Sequence, residues 1–215
     1  MFITLEGIEG SGKTTQIKHI TDYLNQLGVP CIITREPGDT HIGKKIRSIL
    51  LDPENKGLDP LSELFLYAAD RAQHLKERIR PALEDGKTVV CDRFFDATTA
   101  YQGFARGIDL DTINRIHQLV LGDLKPDLTI LFDMSPEEGL QRAWKQVHEG
   151  SRTTAETRFE NEEISFHNKV RSGYLELARS EPERFRIVDA SKSAEQVREK
   201  IIILIDEAIS KRSDK

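Results

Sequence analysis

Residues 5–16 read LEGIEGSGKTTQ, and within them Gly7 to Thr14 spell Gly-x-x-x-x-Gly-Lys-Thr. The stretch follows the apolar run Phe2-Ile3-Thr4-Leu5 and opens onto a helical period of Ile17, Ile20, Leu24 and Leu27, with Gly28 as a stop signal. Strand, glycine-rich turn and helix in that order are the context a phosphate-binding loop requires. Gly7, Gly10 and Gly12 let the backbone curl so that successive N–H groups point inward at phosphate oxygens. The helix starting near Lys13 adds its positive dipole end. Lys13 is placed to reach the β- and γ-phosphates, and the Thr14 hydroxyl to ligate Mg²⁺. The expected ligand is a nucleoside triphosphate with Mg²⁺.

Outward from that loop, short apolar runs alternate with longer helical periods. The expected strands are residues 2–6, 30–35, 88–91, 127–132 and 184–188, rich in Val, Ile and Leu and continuously apolar, as in a parallel sheet covered on both faces. Leu61, Leu64, Phe65, Ala68, Ala72, Leu75, Ile79 and Ala82 predict one long helix, and Val197, Ile201, Leu204, Ile205 and Ala208 the last one. The pattern is that of an α/β fold with right-handed crossovers, a five-stranded parallel sheet flanked by helices on both faces. With the loop it reads as a P-loop NTPase. No repeat or linker divides residues 1–215, which are expected to form one domain. The polar stretch 146–157, QVHEGSRTTAET, predicts a mobile loop between two helices, and residues 146–158 are the expected lid.

The composition is that of an ordinary globular chain, 38% hydrophobic and 31% charged, and the net charge of −5 gives no global drive toward nucleic acid. Residues 1–6 are too short for a signal-peptide core, and no stretch approaches the roughly 20 apolar residues that span a bilayer. Cys31 and Cys91 lie in apolar runs and read as buried reduced thiols. A cytoplasmic enzyme acting without membrane or nucleic acid is expected.

The loop alone does not name the reaction. A GTPase switch needs an Asp-x-x-Gly element, and no Asp lies three residues before any Gly. Asn55-Lys56-Gly57-Leu58-Asp59 is one residue too long for the base-reading motif. Two other stretches point to a small-molecule kinase. In LFLYAADRAQH (64–74), Tyr67, Arg71 and His74, with Arg78 beyond, share one helix face. An aromatic ring one turn before a guanidinium suits a planar heterocycle, although a solvated polar stripe would look the same. In VVCDRFFDATTAYQG (89–103), an Asp-Arg pair follows a buried strand at the edge where open α/β sheets bind ligands. Asp92 suits Mg²⁺ or its waters and Arg93 a phosphate; a structural ion pair is the plainer alternative.

With TREPGDT (34–40), KPDLTILFD (125–133), TRFENE (157–162) and VDAS (188–191), these stretches resemble the thymidylate kinase family over essentially the whole chain. The resemblance implies a nucleoside monophosphate kinase-like fold, transfer of the γ-phosphoryl group of ATP to dTMP with Mg²⁺, dTDP and ADP as products, and a homodimer. It places ATP on Gly7, Ile8, Glu9, Gly10, Ser11, Gly12, Lys13, Thr14 and Thr15, with Arg142 near the adenine. It places dTMP against Tyr67 (stacking), Arg71 (base O4), Thr98 and Gln102. Arg93 and Arg35 fall near the acceptor phosphate, Tyr101 against the ribose 2′ position, and Glu9 against the 3′-hydroxyl. Thr14 and Asp92 are the implied metal residues. Because Glu9 is followed by Gly10 and not Arg, the catalytic arginine is expected in the lid. Arg158 matches it best, Arg152 next, with Lys13 and Arg93 completing the catalytic set. Asp39 stands where Gly is commoner, and Tyr67 where Phe is usual. Another nucleotide or deoxynucleoside kinase and a nucleotide-dependent switch are the competing readings.

Overall fold

In the computed structural model, which describes residues 1–151 and 153–213, Phe2–Gly7 (β1) is buried along its whole length. The reason is its place between Thr88–Asp92 (β3) and Leu128–Asp133 (β4) in one parallel sheet of order β2-β3-β1-β4-β5, with Cys31–Arg35 (β2) and Phe185–Asp189 (β5) at the edges. Edge strands have one neighbour, so β2 is half covered while β3 and β4 read as near-continuous apolar runs. All five expected strands are present, no end shifted by more than one residue.

Alternation of side chains sends Ile3 and Leu5 to one face, where they pack with Ile20 and Leu24 of Lys13–Gln26 (α1) and Ile201 and Ile205 of Ala194–Ser213 (α9). Phe2, Val89 and Cys91 face the other side, against Leu75, Ile79 and Leu121. Helices therefore cover both faces. The remaining helices are His41–Leu51 (α2), Pro60–His74 (α3), Arg80–Glu84 (α4), Phe95–Thr98 (α5), Leu110–Leu121 (α6), Pro136–His148 (α7) and Ile164–Ser180 (α8). Thr40, Asp59, Asp109 and Ser135 cap α2, α3, α6 and α7 by accepting from backbone N–H groups. Among the described residues no helix is long and apolar enough to cross a membrane.

Two expectations change. The period through Ala82 is not one helix: α3 passes into a π-helical turn at Leu75–Ile79 before α4. Pro81 lacks an N–H, so the ladder widens one turn ahead of it. In the polar stretch, α7 continues through His148 and Thr154–Glu156 forms a short 3₁₀ turn, so only part of 146–157 is loop. Cys31 and Cys91 are both free thiols, but Cys31 is only half-buried because β2 is an edge strand.

Candidate active site

Parallel strands present their carboxyl ends at one edge, and there Gly7, Arg35 and Asp92 meet: Arg35 pairs with Asp92 across β2 and β3, and Leu5 with Asp92 across β1 and β3. The order reverses at β1, which opens a crevice at that point. A cavity of about 520 Å³ fills it.

The phosphate loop forms one end of the cavity, with residues Glu9 to Thr15 along its wall. Its course depends on contact with α7. A Cβ on Gly10, whose φ is 68°, would overlap the carbonyl of Gly139, and one on Gly139 would meet Glu9 O at 2.6 Å. Lys13 is buried and folds over the loop, its Nζ donating to Gly7 O at 3.0 Å, Ile8 O at 2.9 Å and Ser11 Oγ at 3.1 Å. Burial, and then the nearby Arg93 charge, lowers its ammonium to about 8. Thr14 is exposed on the cavity wall. On the same cavity wall, Asp92 Oδ1 is buried and has no hydrogen-bond partner among the described residues. An orphaned carboxylate oxygen and a hydroxyl lining one phosphate site are a donor set suited to Mg²⁺ bound with phosphate and water. Among the described residues no three His, Cys, Asp or Glu cluster as a self-sufficient metal site.

The other end is made of side chains from separated elements. Arg71, on α3, is 2% exposed; its Nε donates to Glu36 Oε2 at 2.7 Å and its Nη2 to Thr98 Oγ1 at 3.0 Å and Phe94 O at 3.2 Å. Glu36 also receives His74 Nδ1 at 2.9 Å, and the other His74 nitrogen meets the Thr34 hydroxyl. Tyr67 lies one turn before Arg71 on the cavity wall. Between the two ends is Arg93, held with φ 64° just past β3. Its Nη2 donates to Glu9 Oε1 at 3.0 Å and its Nη1 to Gly7 O at 2.7 Å, and its guanidinium lies 5.1 Å from the Tyr101 ring. Tyr101 OH donates to the same Glu9 oxygen at 2.6 Å. Burial pushes the Glu9 carboxyl up, but Arg93, His167 and Tyr101 together outweigh it and hold Glu9 well below the usual carboxylate range. Glu6, behind this layer, goes the other way: burial, with Asp96 adding to it, raises it to about 8.

A pocket that joins a phosphate loop to a second, arginine-lined end is open to comparison with known proteins. The chain matches the thymidylate kinase family over residues 5–201. The chain belongs to the thymidylate kinase family. Among curated thymidylate kinases it is similar to that of Desulforapulum autotrophicum, 62% identical over 94% of this chain and 89% of the relative. It is also similar to that of Desulfosudis oleivorans, 55% identical over 96% of each. Among solved structures, the thymidylate kinase crystal structure from Ehrlichia chaffeensis superposes with a TM-score of 0.76 at 35% identity, covering 96% of this chain and 98% of that one.

Within the family frame, Glu9, Arg35, Tyr67, Arg71, Arg93, Thr98, Tyr101 and Gln102 all line the one cavity. Arg142 does not; it donates to Ala190 O at 2.9 Å and pairs with Glu138 at 2.5 Å, which brings it to the VDAS stretch. The helix-face stripe divides: His74 is buried against Glu36, and Arg78 is at the surface, donating to Asp39 at 2.8 Å. Asp39 is thus an ion-pair partner.

Arg158 is placed away from the cavity wall. Instead of reaching the cavity it is 4% exposed, its Nη2 donating to Glu63 Oε2 at 2.6 Å and its Nε to Leu50 O, with the guanidinium 4.5 Å from the Phe159 ring. Glu63 is fully buried, and Arg158 at 2.6 Å with Arg106 at 3.4 Å supplies its counter-charge. Arg152 lies outside the described residues. The sequence reading did not single out Arg47, which lines the cavity while its Nε and Nη2 grip Glu156 at 2.9 and 2.6 Å. Nor did it single out Glu6, Glu36, Glu63, His167 or Tyr174. Of these only Glu36 had a local signal, standing inside TREPGDT.

Proposed function

We infer that this chain is an ATP-dependent dTMP kinase, transferring the γ-phosphoryl group of ATP to the 5′-phosphate of dTMP to give dTDP and ADP. The observation that carries the reading is the single cavity bounded at one end by Glu9–Thr15 and at the other by Tyr67, Arg71 and Thr98, with Arg93 between. Phosphoryl transfer needs alignment and charge neutralisation more than covalent chemistry. The loop amides and Lys13 hold the donor phosphates, and Arg93, with the exposed Arg35, holds the acceptor phosphate in line. That phosphate is already an oxyanion, so no general base is assigned. Thr14 and Asp92 would hold Mg²⁺, which when bound shields the phosphate oxygens. Tyr67 stacks on the thymine, Arg71, kept in place by Glu36, donates to its O4, Thr98 faces the base edge, and Gln102 completes the dTMP-binding set. Glu9 faces the sugar 3′-hydroxyl, and Tyr101 crowds the 2′ position. Arg142 lies toward the adenine.

The chain functions as one domain whose segment 146–158 closes over the donor phosphates and excludes water. Gln146, Ser151, Thr153 and Glu156 on the cavity wall support that reading. Arg152 is the lid arginine in this scheme. The enzyme is a homodimer; Leu61 and Phe65, 46% and 55% exposed on α3, together with Leu119, 86% exposed on α6, are the apolar surface that supports it. Free Cys31 and Cys91 suit the reducing cytoplasm.

The reading is tested by ADP release with ATP–Mg²⁺ and dTMP, dUMP, UMP, dCMP, AMP or thymidine as acceptor. Fast turnover with dTMP, less with dUMP and negligible turnover with UMP is expected. Preference for another acceptor would retain the kinase and remove the pocket assignment.

A further inference from the structure

Arg93 is the one described non-glycine residue with positive φ, so it leaves β3 on an unusual turn. A long side chain leaving such a turn is aimed only if something behind it fixes the guanidinium. Three groups do so. Gly7 O and Glu9 belong to the phosphate loop; the third, Tyr174, comes from α8, 81 residues further along the chain. Arg93 Nη1 donates to the Tyr174 hydroxyl at 3.1 Å, and that hydroxyl donates its own proton to Glu6 Oε2 at 2.7 Å. The other Glu6 oxygen accepts from the backbone N–H of Phe94 at 2.7 Å. Phe94 follows Arg93 directly. Glu6 therefore holds the Arg93 turn twice, by the backbone on its C-terminal side and by the guanidinium through Tyr174.

Both supporting side chains are enclosed, Tyr174 at 1% and Glu6 at 0% exposure, and neither lines the cavity. The Tyr174 ring packs edge-on to Tyr101 at 6.3 Å, and a phenylalanine would do that equally well. What phenylalanine lacks is the hydroxyl, and the hydroxyl serves only the relay. A buried polar relay with every donor placed is a costly feature to assemble for packing alone.

We propose that Tyr174, backed by Glu6, is a positioning residue for phosphoryl transfer, aiming the Arg93 guanidinium at the acceptor phosphate. The proposal rests on the reading of Arg93 as the acceptor-phosphate clamp. It sets apart a residue that touches neither substrate from the arginine that does.

The test is a double-mutant cycle on the full chain with Tyr174→Phe and Arg93→Lys, reading kcat/KM for dTMP, KM for ATP and Tm. Tyr174→Phe is expected to lower kcat/KM for dTMP about tenfold, the order for losing a hydrogen bond to a charged group, with KM for ATP unchanged within about twofold. In the Arg93→Lys background the same change should cost less than about twofold, because the group it aims is gone. A fall in Tm with kcat/KM for dTMP unchanged, or a penalty undiminished in the Arg93→Lys background, would overturn the positioning role. If Arg93→Lys itself leaves dTMP kinetics untouched, the clamp reading fails and takes the proposal with it. Should Tyr174→Phe not fold, Glu6→Gln serves: it keeps the shape, weakens the anchor, and must show the same non-additivity or the proposal falls.

Discussion

The two ends of the cavity are built on different principles. The donor end is a run of backbone amides in consecutive residues, shaped by glycine and pressed against Gly139 of α7. The acceptor end is a set of side chains from β2, α3 and the segment after β3, held by ion pairs such as the buried Arg71–Glu36 at 2.7 Å and the half-buried Arg93–Glu9 at 3.0 Å. Backbone amides need no partner to keep them aimed, whereas a buried guanidinium without its carboxylate leaves a charge uncompensated. The donor end should therefore fail by losing chemistry, and the acceptor end by losing chemistry and stability together.

The largest effect should come from the donor end. Lys13→Ala removes the one cation on the loop, and kcat is expected to fall by about 10²–10³, the loss typical of a preorganised charge-stabilising donor. Far-UV circular dichroism and Tm should stay near wild type, since burying this ammonium is itself unfavourable. A collapse of Tm would erase the distinction between the ends.

Next is Arg71→Met at the acceptor end. It should lower kcat/KM for dTMP by about 10² through the lost base contact and also destabilise the fold by about 3 kcal/mol, because Glu36 keeps only His74. Denaturant unfolding and dTMP kinetics measured on one preparation check both halves.

Arg158 sharpens the comparison because it belongs to the acceptor side by its bonding. Arg158→Met alone should cost about 3 kcal/mol by leaving buried Glu63 with only the longer Arg106 contact at 3.4 Å as a cationic partner, and adding Glu63→Gln should recover most of the loss. A normal Tm with kcat reduced by orders of magnitude would restore Arg158 as a lid catalyst.

The smallest effect is on pH. Burial, then Arg93, sets Lys13 at about 8 against its ordinary value of 10.5. The lowered value means that its contribution to stability is present above the ordinary value and is lost as pH falls through about 8. Its charge has the opposite use: kcat/KM for ATP should decline severalfold as pH rises past 8, while kcat holds to higher pH because bound phosphates favour the ammonium. Coincident declines in the two profiles would place the titrating group elsewhere.

The same contrast explains what the sequence made legible. Strand, loop and helix at the donor end are encoded within residues 2–27, so the fold and the phosphate site could be read by eye. Tyr67 and Arg71 were legible as a spacing on one helix. What holds Arg71 was not, because Glu36 lies 35 residues away and pairs only after β2 and α3 pack. The placement of Arg158 was hidden for the same reason. Its local context resembles a lid, and the carboxylate it is bonded to, Glu63, is 95 positions distant. The Tyr174–Glu6 contact spans 168 positions and leaves no local signature at all.

The central claim is that donor and acceptor ends share one cavity with Arg93 between them. The most direct test is inhibition by adenosine and thymidine joined 5′ to 5′ through five phosphates. The account predicts competition against both ATP and dTMP, with tighter binding than either nucleotide alone. Competition against only one substrate would contradict it.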